Sequence, residues 1–355
     1  MRGRNSRPHL DENTLHSTTS SVRANGIEIE YAESGARDAP VILLIMGLGM
    51  QLIAWPDTFC EGLAARGFCV VRFDNRDVGG STKITSTKLV TLGRIALAAA
   101  LARALAGLPV KAPYTLRDMA NDAIGLLDAL GIERAHIVGA SMGGMIAQII
   151  AAEHPDRAKS LVSIMSSSGN PALPHPDPKV LRALLRPRPR NRERAIQQAM
   201  ELYRMIGSPG FPTSEVELRT KVERSINRCY YPEGLTRHLL AVQTSGSRVE
   251  MLRGIRLPAL VLHGSDDPLI PVEAGKDTAA NIPGAKLRII PGMGHDLAGG
   301  LVPILVDAIA EHCHSADRSA AQADDEPALP SGRPLPLSEN PYIIFHFRSR
   351  IIAVR

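Results

Sequence analysis

The chain has 355 residues, 44% of them hydrophobic and 22% charged, with a formal net charge of +5. This is the size and balance of a soluble globular protein holding one large α/β domain and an inserted subdomain. The charge excess is mild and lies largely in Arg182, Arg186, Arg188, Arg190, Arg192 and Arg194, interleaved with Pro187 and Pro189; no stacking aromatics accompany it, so it reads as a solvated surface and argues against a nucleic-acid partner.

Met1–Ser21 is polar and lacks the apolar core of a signal peptide, so residues 1–20 read as a flexible N-terminal segment. Short apolar runs then alternate with helical patterns. Strands are expected at Ile27–Tyr31, Val41–Met46, Cys69–Phe73, Ala135–Val138 and Ser160–Met165. Helices are expected at Asp57–Arg66, Leu116–Leu130 and Met142–Glu153. The apolar stretch Leu92–Val110 carries Arg94 and Arg103 and is too short and too charged to span a membrane; Leu92–Leu108 within it reads as a surface helix or a second piece of a cap. From Ser166 to Arg253 the alternation stops, and the segment is helical, Arg-rich and broken by Pro and Gly. It resumes with a strand at Ala259–His263, a helix at Pro271–Asn281, a strand at Lys286–Ile290 and a helix at Leu301–His312.

This order predicts an α/β fold, with a mostly parallel central sheet, helices on both faces and an inserted helical cap. The expected parts are a core of residues 21–165 and 254–314, a cap of residues 166–253 and a disordered tail of residues 315–355. Ser315–Asn340 is polar and Pro-rich, whereas Pro341–Arg355 is apolar and basic and suggests no function. Cys60, Cys69, Cys229 and Cys313 form neither a CxxC pair nor a zinc spacing. They read as reduced thiols of a cytoplasmic protein with no metal and no cofactor.

Gly139-Ala140-Ser141-Met142-Gly143 carries the strongest signal. It sits between an expected strand and an expected helix, the setting in which G-x-S-x-G forms a nucleophile elbow. A serine hydroxyl needs a base. His295, in Pro291-Gly292-Met293-Gly294-His295 after the last strand, fits the chain order nucleophile, acid, histidine; His136 lies inside a strand, His154 at a helix end, His263 at a strand end, and His312 and His314 beyond the core. The acid should follow the penultimate strand, where Asp266 and Asp267 compete. Asp267 is selected by its place in G-x-x-D-x-x-x-P (Gly264, Asp267, Pro271), which leaves Asp266 as a turn or capping residue. An oxyanion hole would use the backbone N–H groups of Met142 and of Leu48, within Met46-Gly47-Leu48-Gly49.

With Phe73-Asp74-Asn75-Arg76-Asp77 added to these motifs, residues from about Ser21 to His312 resemble an α/β-hydrolase of the aclacinomycin methylesterase-like branch. The resemblance implies hydrolysis of a small to medium carboxylic ester through an acyl-enzyme, with Ser141, Asp267 and His295 as triad and Leu48 and Met142 as oxyanion donors. It implies a small-molecule partner and no cofactor, and leaves oligomeric state open. Met46 stands where many α/β-hydrolases carry His, which removes one side chain that orders the loop. Asp74, Arg76 and Asp77 are expected to form a structural turn network below the site. A cofactor-free haloperoxidase or perhydrolase would use the same triad, and a non-catalytic ligand-binding relative would lack part of it. An epoxide hydrolase or dehalogenase would need a carboxylate where Ser141 stands.

Overall fold

The computed structural model describes residues 19–85, 95–96, 99–100, 102–103 and 106–325. The chain divides into two compact units, Met1–Ala316 and Asp317–Arg355.

The first unit is built on eight strands: β1 (Ser20–Ala24), β2 (Ile27–Ser34), β3 (Val41–Ile45), β4 (Cys69–Phe73), β5 (Ala135–Ala140), β6 (Ala158–Ile164), β7 (Ala259–Gly264) and β8 (Lys286–Ile290). Their order across the sheet is β1-β2-β4-β3-β5-β6-β7-β8. β2 pairs antiparallel with β1 and β4, and every other neighbouring pair is parallel. The helices are α1 (Asp57–Ala64), α2 (Leu116–Ala129), α3 (Met142–Glu153), α4 (Pro178–Leu185), α5 (Arg192–Ile206), α6 (Glu215–Arg228), α7 (Pro232–Ser245), α8 (Val249–Arg253), α9 (Val272–Asn281) and α10 (Val302–Asp325).

Strands buried on both faces need apolar residues at every position, and side-chain alternation then deals them to two cores. Leu43, Ile45, Val71, Phe73 and Ile137 face the core filled by α2 and α3, whereas Ile42, Leu44, Val70 and Val138 face the core filled by α1 and α10. Arg72 is the charged exception within β4; its guanidinium donates to the Trp55 carbonyl at 2.8 Å and to Asp57 at 2.6 Å. α2 starts on a capping box in which Thr115 and Asp118 satisfy each other's backbone N–H.

The expected core opens on a further strand: β1 belongs to the sheet, joined to β2 through Asn25-Gly26, both at positive φ (46° and 79°). That is the dipeptide a tight hairpin requires, and its significance outweighs the polar character of β1. The tail expected to be disordered is helical as far as Asp325, because α10 continues through it. Ala316, Ala320, Ala321 and Ala323 favour helix by themselves, and the pattern stops short of Pro327. Residues 1–18, 86–94, 97–98, 101, 104–105 and 326–355 lie outside the described residues, so the expectation for Leu92–Leu108 falls partly outside them.

Candidate active site

β3 sits where the strand order reverses: the chain leaves it for β4 on one side and later for β5 on the other. Loops leaving the carboxyl ends of strands on the two sides of such a point diverge and leave a crevice. The loop after β3 carries Leu48, and Ser141 follows β5. The two loops meet so closely that a Cβ on Gly47 would lie 3.1 Å from the Ser141 Cβ.

The turn at Ser141 is sharp. Ser141 has φ 56° and ψ −121°, a conformation a non-glycine residue adopts only when its surroundings impose it. The flanking glycines answer a different need. A Cβ at Gly139 would sit 2.1 Å from the Gly143 carbonyl oxygen, and one at Gly143 2.0 Å from the Ile45 carbonyl oxygen. They allow α3 to pack on the ends of β5 and β3, which fixes Ser141 at the start of α3. The Ser166 hydroxyl donates to the Ser141 carbonyl at 2.7 Å.

The structure brings Ser141, Asp267 and His295 together across more than 150 residues of chain. His295 Nε2 lies 3.0 Å from Ser141 Oγ, and His295 Nδ1 lies 2.7 Å from Asp267 Oδ2. The other Asp267 oxygen accepts the backbone N–H groups of Leu269 at 2.9 Å and Ile270 at 2.8 Å. Asp267 and His295 are buried at 6% and 8% exposure, so their mutual contact is shielded from bulk water. Asp266 points elsewhere: its carboxylate accepts from the Ser265 hydroxyl at 2.5 Å and the Gly292 N–H at 3.0 Å. His263, fully buried, approaches Asp267 Oδ2 at 3.6 Å and sits 2.8 Å from the Ile270 carbonyl, to which its Nε2–H donates. Burial holds its pKa below the usual histidine value. It packs as an uncharged brace beneath the Asp267 loop.

The segment between β6 and β7 supplies the other side. His295 N–H donates to the Ile206 carbonyl at 2.6 Å, and Gly294 N–H to the Ser208 hydroxyl at 2.9 Å, so the end of α5 grips the histidine loop. Ser208 also donates to Asp296, whose pKa is raised by burial. A cavity of about 150 Å³ opens at Ser141 and His295, walled by Leu48 on the sheet side and by Leu184, Leu202, Tyr203 and Lys221 from α4, α5 and α6. A larger cavity of about 530 Å³ shares Tyr203 and Lys221 as wall residues. Lys221 lies 5.2 Å from the Tyr203 ring centroid and has no hydrogen-bond or ion-pair partner among the described residues; burial lowers its pKa. Its place was not legible in the sequence, because α6 is polar on most of its surface and Lys221 has no motif around it.

Below the site lies the expected turn network. Asp74 accepts the N–H groups of Leu52 at 2.6 Å and Gly80 at 2.9 Å, and Arg76 pairs with Asp122 at 2.6 Å. Asp77 receives both nitrogens of Arg237 at 2.7 Å and the Tyr114 hydroxyl at 2.6 Å. Arg237 comes from α7, and burial opposes its charge; the Asp77 carboxylate more than compensates and raises its pKa. α7 comes so near that a Cβ on Gly234 would lie 2.2 Å from the Asp77 carbonyl oxygen.

Among the described residues no helix is long and apolar enough to cross a membrane, and no cluster of His, Cys, Asp and Glu is arranged for a metal. None of the four cysteines forms a disulfide.

Comparison with known proteins bears on the whole architecture. The family model for the α/β hydrolase fold matches residues 40–298. A rhodomycin D methylesterase of Streptomyces sp. (strain C5) is 29% identical over 299 residues, covering 79% of this chain and 92% of that protein. A rhodomycin D methylesterase of Streptomyces peucetius is 27% identical over the same length. Among solved structures, the enol-lactonase from Burkholderia xenovorans LB400 superposes with a TM-score of 0.64 at 22% identity, covering 83% of this chain and 100% of that one, a likeness of fold. Fold, sheet order and family model agree: the chain belongs to the α/β hydrolase fold family.

Proposed function

We propose that the chain is a serine hydrolase that cleaves a small to medium carboxylic ester through an acyl-enzyme. The observation that carries this reading is the continuous line from Asp267 through His295 to Ser141 Oγ, opening into an apolar chamber. Ser141 Oγ attacks the ester carbonyl while His295 Nε2 takes its proton. The carbonyl oxygen becomes an oxyanion held by the N–H groups of Leu48 and Met142, with the N-terminus of α3 adding its dipole. The carbon–oxygen bond to the alcohol breaks as His295 returns the proton to the leaving oxygen. Water then enters, gives a proton to His295 and attacks the acyl carbon; the acid departs and Ser141 recovers its proton. Asp267 holds His295 in the tautomer with its proton on Nδ1 and stabilises the imidazolium.

Residues 166–253 act in this reading as the cap over the site, since α4, α5 and α6 line the chamber. The methylesterases among the relatives support a methyl ester as the cleaved group. The absence of disulfides and the reduced thiols fit a cytoplasmic location. Hydrogen peroxide in place of water in the second step would make the same triad a perhydrolase.

The test is labelling with a fluorophosphonate together with a screen of p-nitrophenyl and methyl esters, with and without peroxide. Ser141→Ala is expected to lose labelling and to lower turnover by at least about 10³-fold. Full activity in that variant would remove the serine-hydrolase reading.

A further inference from the structure

We infer that His238 of α7 is a positioning residue for the oxyanion loop, so that the inserted helices take part in setting up catalysis as well as in enclosing the substrate. The inference rests on the reading of Leu48 as an oxyanion donor.

Gly47 to Met50 form a four-residue turn closed by the Met50 N–H on the Gly47 carbonyl at 3.2 Å. Gly49 occupies its third position with φ +66°, a value that favours glycine there. The peptide between Leu48 and Gly49 is therefore the middle peptide of the turn, the one whose flip converts one turn type into another. Its N–H donates to His238 Nδ1 at 3.1 Å. The other ring nitrogen lies 2.8 Å from the Arg76 carbonyl, which can only accept. Both contacts together fix one tautomer: the proton is on Nε2 and the lone pair on Nδ1. Leu235, one turn earlier in α7, closes the other side, where a Cβ on Gly49 would lie 2.8 Å from the Leu235 Cδ1. The middle peptide is thus held by a hydrogen bond and a packing contact from one helix, which fixes ψ of Leu48 and φ of Gly49 and with them the turn whose preceding peptide carries the Leu48 N–H.

His238 is anchored well enough to do this. Its exposure is 0%, and its neighbour Arg237 pairs bidentately with Asp77. The charged and titratable groups facing the ring are Arg237 on its own helix, Arg76 and Asp77 from the loop after β4, and Tyr114, edge-on at 6.3 Å. Burial pushes the His238 pKa down to about 4, so the ring stays an acceptor at neutral pH. Met46 leaves the head of this loop without an imidazole of its own, and His238 supplies one from another part of the chain.

The experiment compares His238→Leu and His238→Gln with wild type, using p-nitrophenyl butanoate and a fluorophosphonate to count active sites. Gln retains an acceptor and a donor, and Leu retains only volume. In His238→Leu, kcat per titrated site should fall about 10- to 100-fold, short of the 10²–10³ lost with a whole oxyanion donor, while KM stays within about threefold. His238→Gln should recover most of that loss. In the wild type, long-range ¹H–¹⁵N spectra should place the His238 proton on Nε2, a readout that holds even if His238→Leu does not fold. A His238→Leu enzyme with wild-type kcat per titrated site would overturn the inference, as would a proton on Nδ1. A wild type inert to ester and probe alike would instead overturn the hydrolase reading, and this inference would fall with it.

Discussion

Asp266 and Asp267 are adjacent and chemically identical, yet the backbone sends them in opposite directions. One caps the turn at Gly292, and the other reaches His295 with one oxygen and two backbone N–H groups with the other. Asp267→Asn should therefore lower turnover by roughly 10⁴, since an amide favours the wrong histidine tautomer. Asp266→Asn should cost less than about tenfold, because an amide oxygen can still accept from Gly292. Steady-state kinetics on the two variants checks this, and reversed results would exchange the assignments. Lys221 presents a second contrast. It has no hydrogen-bond acceptor among the described residues and lines the chamber, so Lys221→Met should raise KM for esters bearing an acceptor oxygen beyond the cleaved bond, by about tenfold, and leave kcat for p-nitrophenyl butanoate nearly unchanged.

At the scale of elements, the elbow is decided by two backbone approaches. Gly143→Ala would drive a methyl group to 2.0 Å from the Ile45 carbonyl oxygen, and Ile45, buried at the end of β3, cannot retreat. The expected cost is above about 4 kcal/mol, seen as loss of soluble protein or of the cooperative melt. The helices between β6 and β7 are joined to the core at several points: Ile206 and Ser208 hold the histidine loop, and Gly234, Arg237 and His238 hold the loops after β3 and β4. A segment anchored in this way transmits changes in its packing to the reacting groups.

At the scale of the whole molecule, stability should respond to acid through buried histidines. His312 lies in the core against Leu161 and Pro258, with His136 and Lys286 as charged or titratable neighbours, and burial lowers its pKa from 6.5 to about 4. Above pH 6.5 the ring is neutral folded and unfolded, and no pH dependence arises. Below it the unfolded chain binds a proton that the folded chain refuses, so stability falls as pH drops toward 4, by about 3 kcal/mol over the window. His312→Leu should remove that part of the acid slope. Melting temperatures at pH 8 and pH 5 test this: relative to wild type, the variant should gain several degrees on going to the lower pH. A chain ended after Ala316, where the first compact unit closes, retains every strand of the described residues together with Ser141, Asp267 and His295. Its melting temperature should stay within about 3 °C of the full chain and its turnover should be unchanged.

The sequence alone was sufficient for the alternation of strands and helices and for the elbow, because two-sided burial demands apolar runs and a strand–turn–helix corner demands small residues at Gly139 and Gly143. It also held the hairpin at Asn25-Gly26, a turn signal set beside the polar residues of β1, and the alanines that carry α10 past Ser315. It singled out Ser141, Asp267 and His295 through local motifs, each readable within a few residues. What it could not contain were relations between distant segments. That His238 meets Gly49, that Ile206 meets His295 and that Lys221 lines the cavity at Ser141 depends on how α5, α6 and α7 lie over the ends of β3 and β5. α5 and α6 are polar on most of their surface and none of the three carries a motif, so their own periodicity does not say what they cover. Only tertiary packing, through the Asp77–Arg237 pair and the close approach at Gly234, decides which of their side chains reach the site.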